Sequence, residues 1–145
     1  MANERVNTSP LSAREGKVYL DGVLIADSCK FLVVFKPDVW SGKQLSEQGT
    51  NRRWIGYDIE VTVEEWKTTK RYRGMINEYL KFGKTPELTL QGIQEDKNSD
   101  FYAANKAEEV TCVGCVPIGD INLIDMDTEG DVVKESIKFG AKRVV

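Results

Sequence analysis

Between Arg52 and Trp66 the chain reads RRWIGYDIEVTVEEW, and from Ile55 the apolar residues fall on alternate positions: Ile55, Tyr57, Ile59, Val61 and Val63. Gly56, Asp58, Glu60, Thr62 and Glu64 stand between them. In an extended chain successive side chains point to opposite faces, so this segment is a strand with one dry face and one wet face. Fully extended, these fifteen residues span roughly 45–50 Å at about 3.3 Å each, where a usual strand has about 5–6 residues. So long a strand in a chain of 145 residues needs an explanation, and so does its acidic face. On pattern alone, Asp58, Glu60 and Glu64 describe an ordinary solvated sheet face.

The length predicts one domain, residues 1–145. Hydrophobic residues make up 41% and charged residues 30%, enough for one core and a well-solvated surface. The longest apolar run, FLVVF at 31–35, is far too short to span a membrane. The first ten residues contain no apolar signal core, which predicts synthesis and retention in the cytosol. The formal net charge is −3, without the basic excess of a protein that grips nucleic acid. The chain has no histidine, which removes the commonest general base and metal ligand and every Ser-His or Cys-His mechanism.

Along the chain, residues 1–15 are polar and predict a flexible N-terminal arm. GKVYL at 16–20 predicts a strand, DG at 21–22 a hairpin turn, and residues 23–38 a strand rich in β-branched and aromatic side chains. Phe31, Val33 and Phe35 share one of its faces, and Lys30, Leu32, Val34 and Lys36 the other. Residues 40–51 carry two glycines and many polar residues, and predict a long loop between two long strands. The period then changes. Tyr72, Met75, Ile76, Tyr79, Leu80 and Gly83 form one stripe on a helix over 68–83. Thr68 or Thr69 would cap its start and Gly83 would end it, with Arg71, Arg73, Glu78 and Lys81 facing water.

Short strands follow at 87–93, within 106–124 and at 132–142, separated by a turn-rich loop at 94–100 and an acidic turn at 125–131. Gly92 suggests a bulge or a close approach. The sum is a mainly β fold of six or seven strands with one helix, in the order β-β-β-α-β-β-β.

No motif carries catalysis. CVGC at 112–115 cannot complete a zinc site with Cys and His from this chain, and its flanks read as strand rather than the helix N-terminus that activates a thiol. Two small, half-buried cysteines in a strand are the simpler reading, and a redox role is the reading they displace. SGKQ at 41–44 lacks the first glycine and the hydroxyl of a phosphate loop. Asp120, Asp125, Asp127, Glu129 and Asp131 lack calcium-loop spacing. No cofactor, metal or catalytic residue is therefore predicted. Trp40, Trp54 and Trp66 bracket the long loop and the long strand, and either bury at strand ends or anchor a protein contact.

Three segments bring in a family. EGKVYLDG at 15–22, YLKFGKTP at 79–86 and the acidic DMDTEGD before the last strand, in this order and with the long strand between them, resemble phage tail tube proteins. The likeness is to the XkdM-like tubes of PBSX-type contractile tails and R-type bacteriocins, and covers roughly residues 14–140. The loop 40–51 departs from the family's more basic, Gly-rich pattern by including Glu47.

The resemblance implies a six-stranded β-sandwich or barrel with a flanking α-helix, in homo-oligomeric, hexameric rings stacked into a tube. Tail sheath, baseplate and tape-measure proteins would be its partners, and DNA would pass through unbound. It also implies that the loop between the two longest strands reaches the next ring. Trp40, Lys43, Gln44, Leu45 and Trp54 become candidate subunit or ring contacts. The wet strand face of Asp58, Glu60, Thr62 and Glu64 becomes the candidate lining of an acidic lumen, which repels phosphate. The competing reading is a monomeric β-barrel module with an apolar ligand between helix and sheet.

Overall fold

The computed structural model describes residues 12, 14, 16–26 and 28–145. Most of the predicted N-terminal arm, 1–15, lies outside the described residues. The elements are β1 (Gly16–Leu20), β2 (Val23–Leu24), β3 (Ser28–Gly42), β4 (Asn51–Trp66), α1 (Arg71–Phe82), β5 (Leu88–Gln94), α2 (Asp100–Asn105), β6 (Glu108–Pro117), β7 (Lys134–Ala141) and β8 (Arg143–Val144). The mainly β class and the helix after the longest strand are as the sequence predicts. Among the described residues the strand count is eight, because 23–38 divides into β2 and the start of β3, and β8 follows β7. A second helix, α2, begins at the end of the segment read as a turn-rich loop. Ser99 caps it, its hydroxyl accepting the Tyr102 amide at 3.2 Å.

All pairings are antiparallel, in the order β2-β1-β5-β6-β7-β4-β3, with β8 also on β6. Strand β6 joins two half-sheets. Its first part pairs with β5, and Val116 and Pro117 pair with β7. The switch is made at a bulge where Gly114 takes a φ of 69°, a left-handed conformation that favours glycine. The same bulge sets three steps of β6 against two of β5: Leu88 pairs with Cys115 and Leu90 with Cys112. In a regular strand residues three apart point to opposite faces; here both cysteines point inward and are fully buried.

The core lies between the half-sheets. Ile59, Val61, Val63, Ile137 and Phe139 come from one side and Leu88, Leu90, Cys112 and Cys115 from the other, closed by Tyr72 of α1. Each such large side chain contributes about 1.5–3 kcal/mol by leaving water. The Asp21-Gly22 turn joins β1 to β2 with positive φ at both residues, as the DG signal predicts.

Helix α1 is shorter than the sequence stripe. Its N-cap is Lys70, without a side-chain capping bond, rather than Thr68 or Thr69. The preceding chain is held extended, with the Lys67 amide donating to the Val133 carbonyl at 2.9 Å. Gly83 ends the helix in the left-handed conformation, φ 68°, as predicted. Arg71 does not face water: it is drawn to Glu65, whose carboxylate is at 2.5 Å and whose residue is only 1% exposed.

Candidate functional site

Strands β3 and β4 form a long hairpin that runs past the core. Fourteen register pairs run from Ser28–Glu65 to Gly42–Asn51. The predicted loop is therefore shorter than 40–51, because the strands continue into it from both sides and leave 43–50 as the connection. Beside the core the dry face is buried at Ile59, Val61 and Val63. Beyond Ile59 it has no covering layer among the described residues, so Ile55 and Tyr57, predicted to be buried with it, are exposed.

A second bulge changes the alternation there. Asp38 pairs with Gly56 but Val39 pairs with Trp54, leaving Ile55 as the extra residue. Trp54, an even-numbered residue that strict alternation assigns to the wet face, is thereby turned to the dry one. The rings confirm this: Phe35 lies 5.5 Å from Trp54 and 5.5 Å from Tyr57, centroid to centroid. The distal hairpin thus carries an exposed apolar face of Phe35, Val39, Trp54, Ile55 and Tyr57. Neither of the sequence signals used, alternation and turn residues, reveals such a bulge. Trp40 lies on the opposite face against Gly42, where an added Cβ would meet its ring at 2.7 Å. Lys43, Gln44 and Leu45 are exposed at the tip, Leu45 at 99%. Glu47 is used internally, accepting from the Gln44 amide at 3.0 Å and the Asn51 side-chain amide at 2.6 Å.

The structure brings Asp58, Glu60, Thr62 and Glu64 together on the polar face of β4, opposite the core. It also places beside them charges the sequence alone did not. Lys30 and Lys36 pair across from Glu64 and Asp58 on β3, and Lys138 pairs across from Thr62 on β7. Lys134, opposite Trp66, shares the face. The surface is mixed in charge rather than acidic. Glu60 sits between two ammonium groups, Lys36 at 2.6 Å and Lys138 at 3.8 Å. The hydrogen bond and charge of Lys36 hold the Glu60 carboxyl below its usual range, and Glu60 in turn raises Lys36. Lys30 and Lys36 were legible as one face of their strand; that they flank the carboxylates required the register.

Cys112 and Cys115 are both sealed from solvent. The Cys115 thiol donates to the Cys112 carbonyl at 3.4 Å. Its contact with the Cys112 thiol, together with burial, pushes Cys112 far above the ordinary thiol range. No group of residues that could hold a metal ion occurs among the described residues. A cleft of about 520 Å³ lies between α1 and segment 121–124. Tyr72, Ile121, Leu123 and Ile124 line it together with Lys67, Lys70, Arg73 and Glu135, so its wall is both apolar and charged. Among the described residues no helix is long and apolar enough to cross a membrane.

Comparison with known proteins gives this surface a context. The chain is 24% identical over 143 residues to phage-like element PBSX protein XkdM of Bacillus subtilis strain 168, covering 96% of this chain and 90% of that protein. Its fold matches a chain of the sheath/tube terminator of an extracellular contractile injection system, PVC, in the extended state: TM-score 0.71 at 11% identity, covering 94% of this chain and 95% of that one. A chain of the PVC sheath–tube complex matches with TM-score 0.69 at 10% identity over 100% and 96% of the two chains. The family model described as phage tail tube protein matches residues 6–142. With nearly its whole length inside that match, the chain belongs to the phage tail tube protein family, and is a structural component of a phage or phage-like tail rather than an enzyme.

Proposed function

We propose that this chain is the protomer of a tail tube in which copies close into hexameric rings and the rings stack. The observation that carries the reading is β3. It is a fifteen-residue strand at the edge of the sheet, its outer side unpaired by any strand among the described residues. A long open edge is a template for pairing with another chain, and proteins that stay monomeric blunt or cover such edges. Pairing around a closed barrel of several copies removes the edge. The exposed aromatic face of the distal hairpin supports the same reading, since obligate assemblies bury surfaces of this kind.

In this assembly the face of Asp58, Glu60, Thr62 and Glu64 lines the lumen. Lys30 and Lys36 face Glu64 and Asp58 across the strands, and Lys36 and Lys138 pair with Glu60, so the lining offers a passing polyanion few uncompensated cations. The passage serves DNA transfer or membrane puncture by the particle. Sheath, baseplate and tape-measure proteins are the expected partners, a reading supported by the sheath–tube particle in which a matching fold occurs. Assembly would take place in the cytoplasm of a bacterial host. Trp40, Lys43, Gln44, Leu45 and Trp54, on or beside the hairpin tip, provide contacts between subunits or rings.

Purified protein examined by light scattering and negative-stain microscopy tests this. Rings and hollow tubes are expected. A monomer that persists at high concentration, with or without an apolar ligand, would overturn the reading in favour of a small binding module.

A further inference from the structure

The two ends of β4 carry opposite charge. At the hairpin tip Lys43, Arg52 and Arg53 stand against a single acid, Glu47, which the turn itself uses. At the other end lies segment 118–133, with five carboxylates and no lysine or arginine. This segment is fastened to the end of β4: the Lys67 ammonium donates to the Leu123 carbonyl at 3.1 Å, and the Lys67 amide to Val133. Among the described residues none of the ion pairs involves the three cations of the tip or the acids of 118–133.

Both ends are also apolar. Trp40, Leu45 and Trp54 are exposed beside the tip cations, and Leu123, Ile124 and Met126 among the acids. The two patches cannot meet within one molecule. The strand between them spans about 45 Å, several times the screening length of about 8 Å at physiological salt.

We propose that the hairpin tip docks on segment 120–131 of a second copy stacked head to tail, Arg52 and Arg53 against the carboxylates and the tip aromatics against Leu123, Ile124 and Met126. The proposal rests on the tube reading and names the receiving surface in the neighbouring ring. A contact between two different patches at opposite ends of one long strand is heterologous, and repeated along the strand direction it propagates into an open stack, which is the geometry a tube needs. Charge complementarity selects the occupant. A second copy supplies both apolar cover and the opposite charge; a cationic patch of a sheath protein is the competing occupant of 120–131.

The test is a charge reversal and its compensation. Arg52→Glu with Arg53→Glu, and separately Asp125→Lys with Asp131→Lys, should each raise the critical concentration for tube growth by about tenfold or more, leaving rings visible. All four side chains are exposed and, among the described residues, none of the side-chain hydrogen bonds within the fold uses them, so melting should match wild type; Arg52→Gln with Arg53→Gln gives the same direction with a smaller change. Combining both reversals should bring the critical concentration back to within about threefold of wild type, as expected of a directly interacting pair.

If the arginine reversal leaves tube growth unchanged, the proposal is wrong. If growth stops and the combined variant does not recover, the receiver lies elsewhere and the proposal also fails. Unchanged growth of the aspartate variant would overturn it as well, and would leave the segment to the sheath. Wild-type protein that forms neither rings nor tubes would instead overturn the tube reading itself, and this inference with it.

Discussion

At Gly92 the absent side chain is filled by a ring from the opposite half-sheet. A Cβ there would lie 2.4 Å from Phe31 Cε1. Phe31 packs on the core, so it cannot move aside without disturbing its neighbours. Gly92→Ala should therefore cost about 1–3 kcal/mol by overpacking, and adding Phe31→Leu should return part of that loss. Thermal melting of the two variants checks it. Tyr72 supplies a pH dependence. Burial first, and then the negative charge of Glu65, raise its phenol above the ordinary value of 10.0. A raised value means the folded state favours the protonated phenol. Its contribution is complete below about pH 10 and is lost as pH rises further, because the unfolded chain ionises first. Between about pH 9 and pH 11 the melting temperature of wild type should fall more steeply than that of Tyr72→Phe. Parallel curves would show that the phenol is not the group responsible.

The hairpin shows which parts of the fold the sequence can carry. Alternation located β4 and its two faces, because a strand packed on a core repeats a simple pattern from Ile59 to Val63. Alternation could not say where the core stops, since Ile55 and Tyr57 are as apolar as Ile59 and differ only in what covers them. It does not carry through Trp54 or between the two cysteines for one reason: a bulge inserts a residue, shifts the phase and leaves no periodic trace. The stripe of α1 behaves in the same way. Tyr72 is buried, Met75 and Ile76 partly, and Tyr79 and Leu80 stand exposed on the last turns. The candidate contacts at Trp40, Lys43, Gln44, Leu45 and Trp54 were legible from position in the chain, whereas the exposed group of Phe35, Trp54 and Tyr57 was not. Because the distal hairpin adds little to the core, it should be separable from folding. Replacing 43–50 by a short Asn-Gly turn should leave melting within about 2–4 °C of wild type, the shift produced by roughly 1 kcal/mol in a domain of this size. The same change should abolish tubes in negative-stain images. Tubes of normal length from that variant would remove the tip from assembly.

At the scale of the molecule two kinds of contact are asked to do different work. Closure around a ring would use the β3 edge and the apolar face near Phe35, interactions that salt leaves intact or strengthens. Stacking of rings would use Arg52 and Arg53 against the acids of 120–131, charges at the surface that salt screens within a few ångströms as ionic strength approaches about 1 M. The two should therefore come apart in sodium chloride. Between about 0.05 M and about 0.5 M, tubes should shorten and the critical concentration for growth should rise, while ring diameter and ring abundance hold. Sedimentation with negative-stain imaging of the same samples separates the two quantities. Rings that dissolve together with tubes would mean that closure too depends on charge, as it would if the lysines and carboxylates around Glu60 paired between copies instead of within one. Tubes indifferent to salt would mean that Trp40, Leu45 and Trp54 hold the stack, with the arginines serving only to choose its direction.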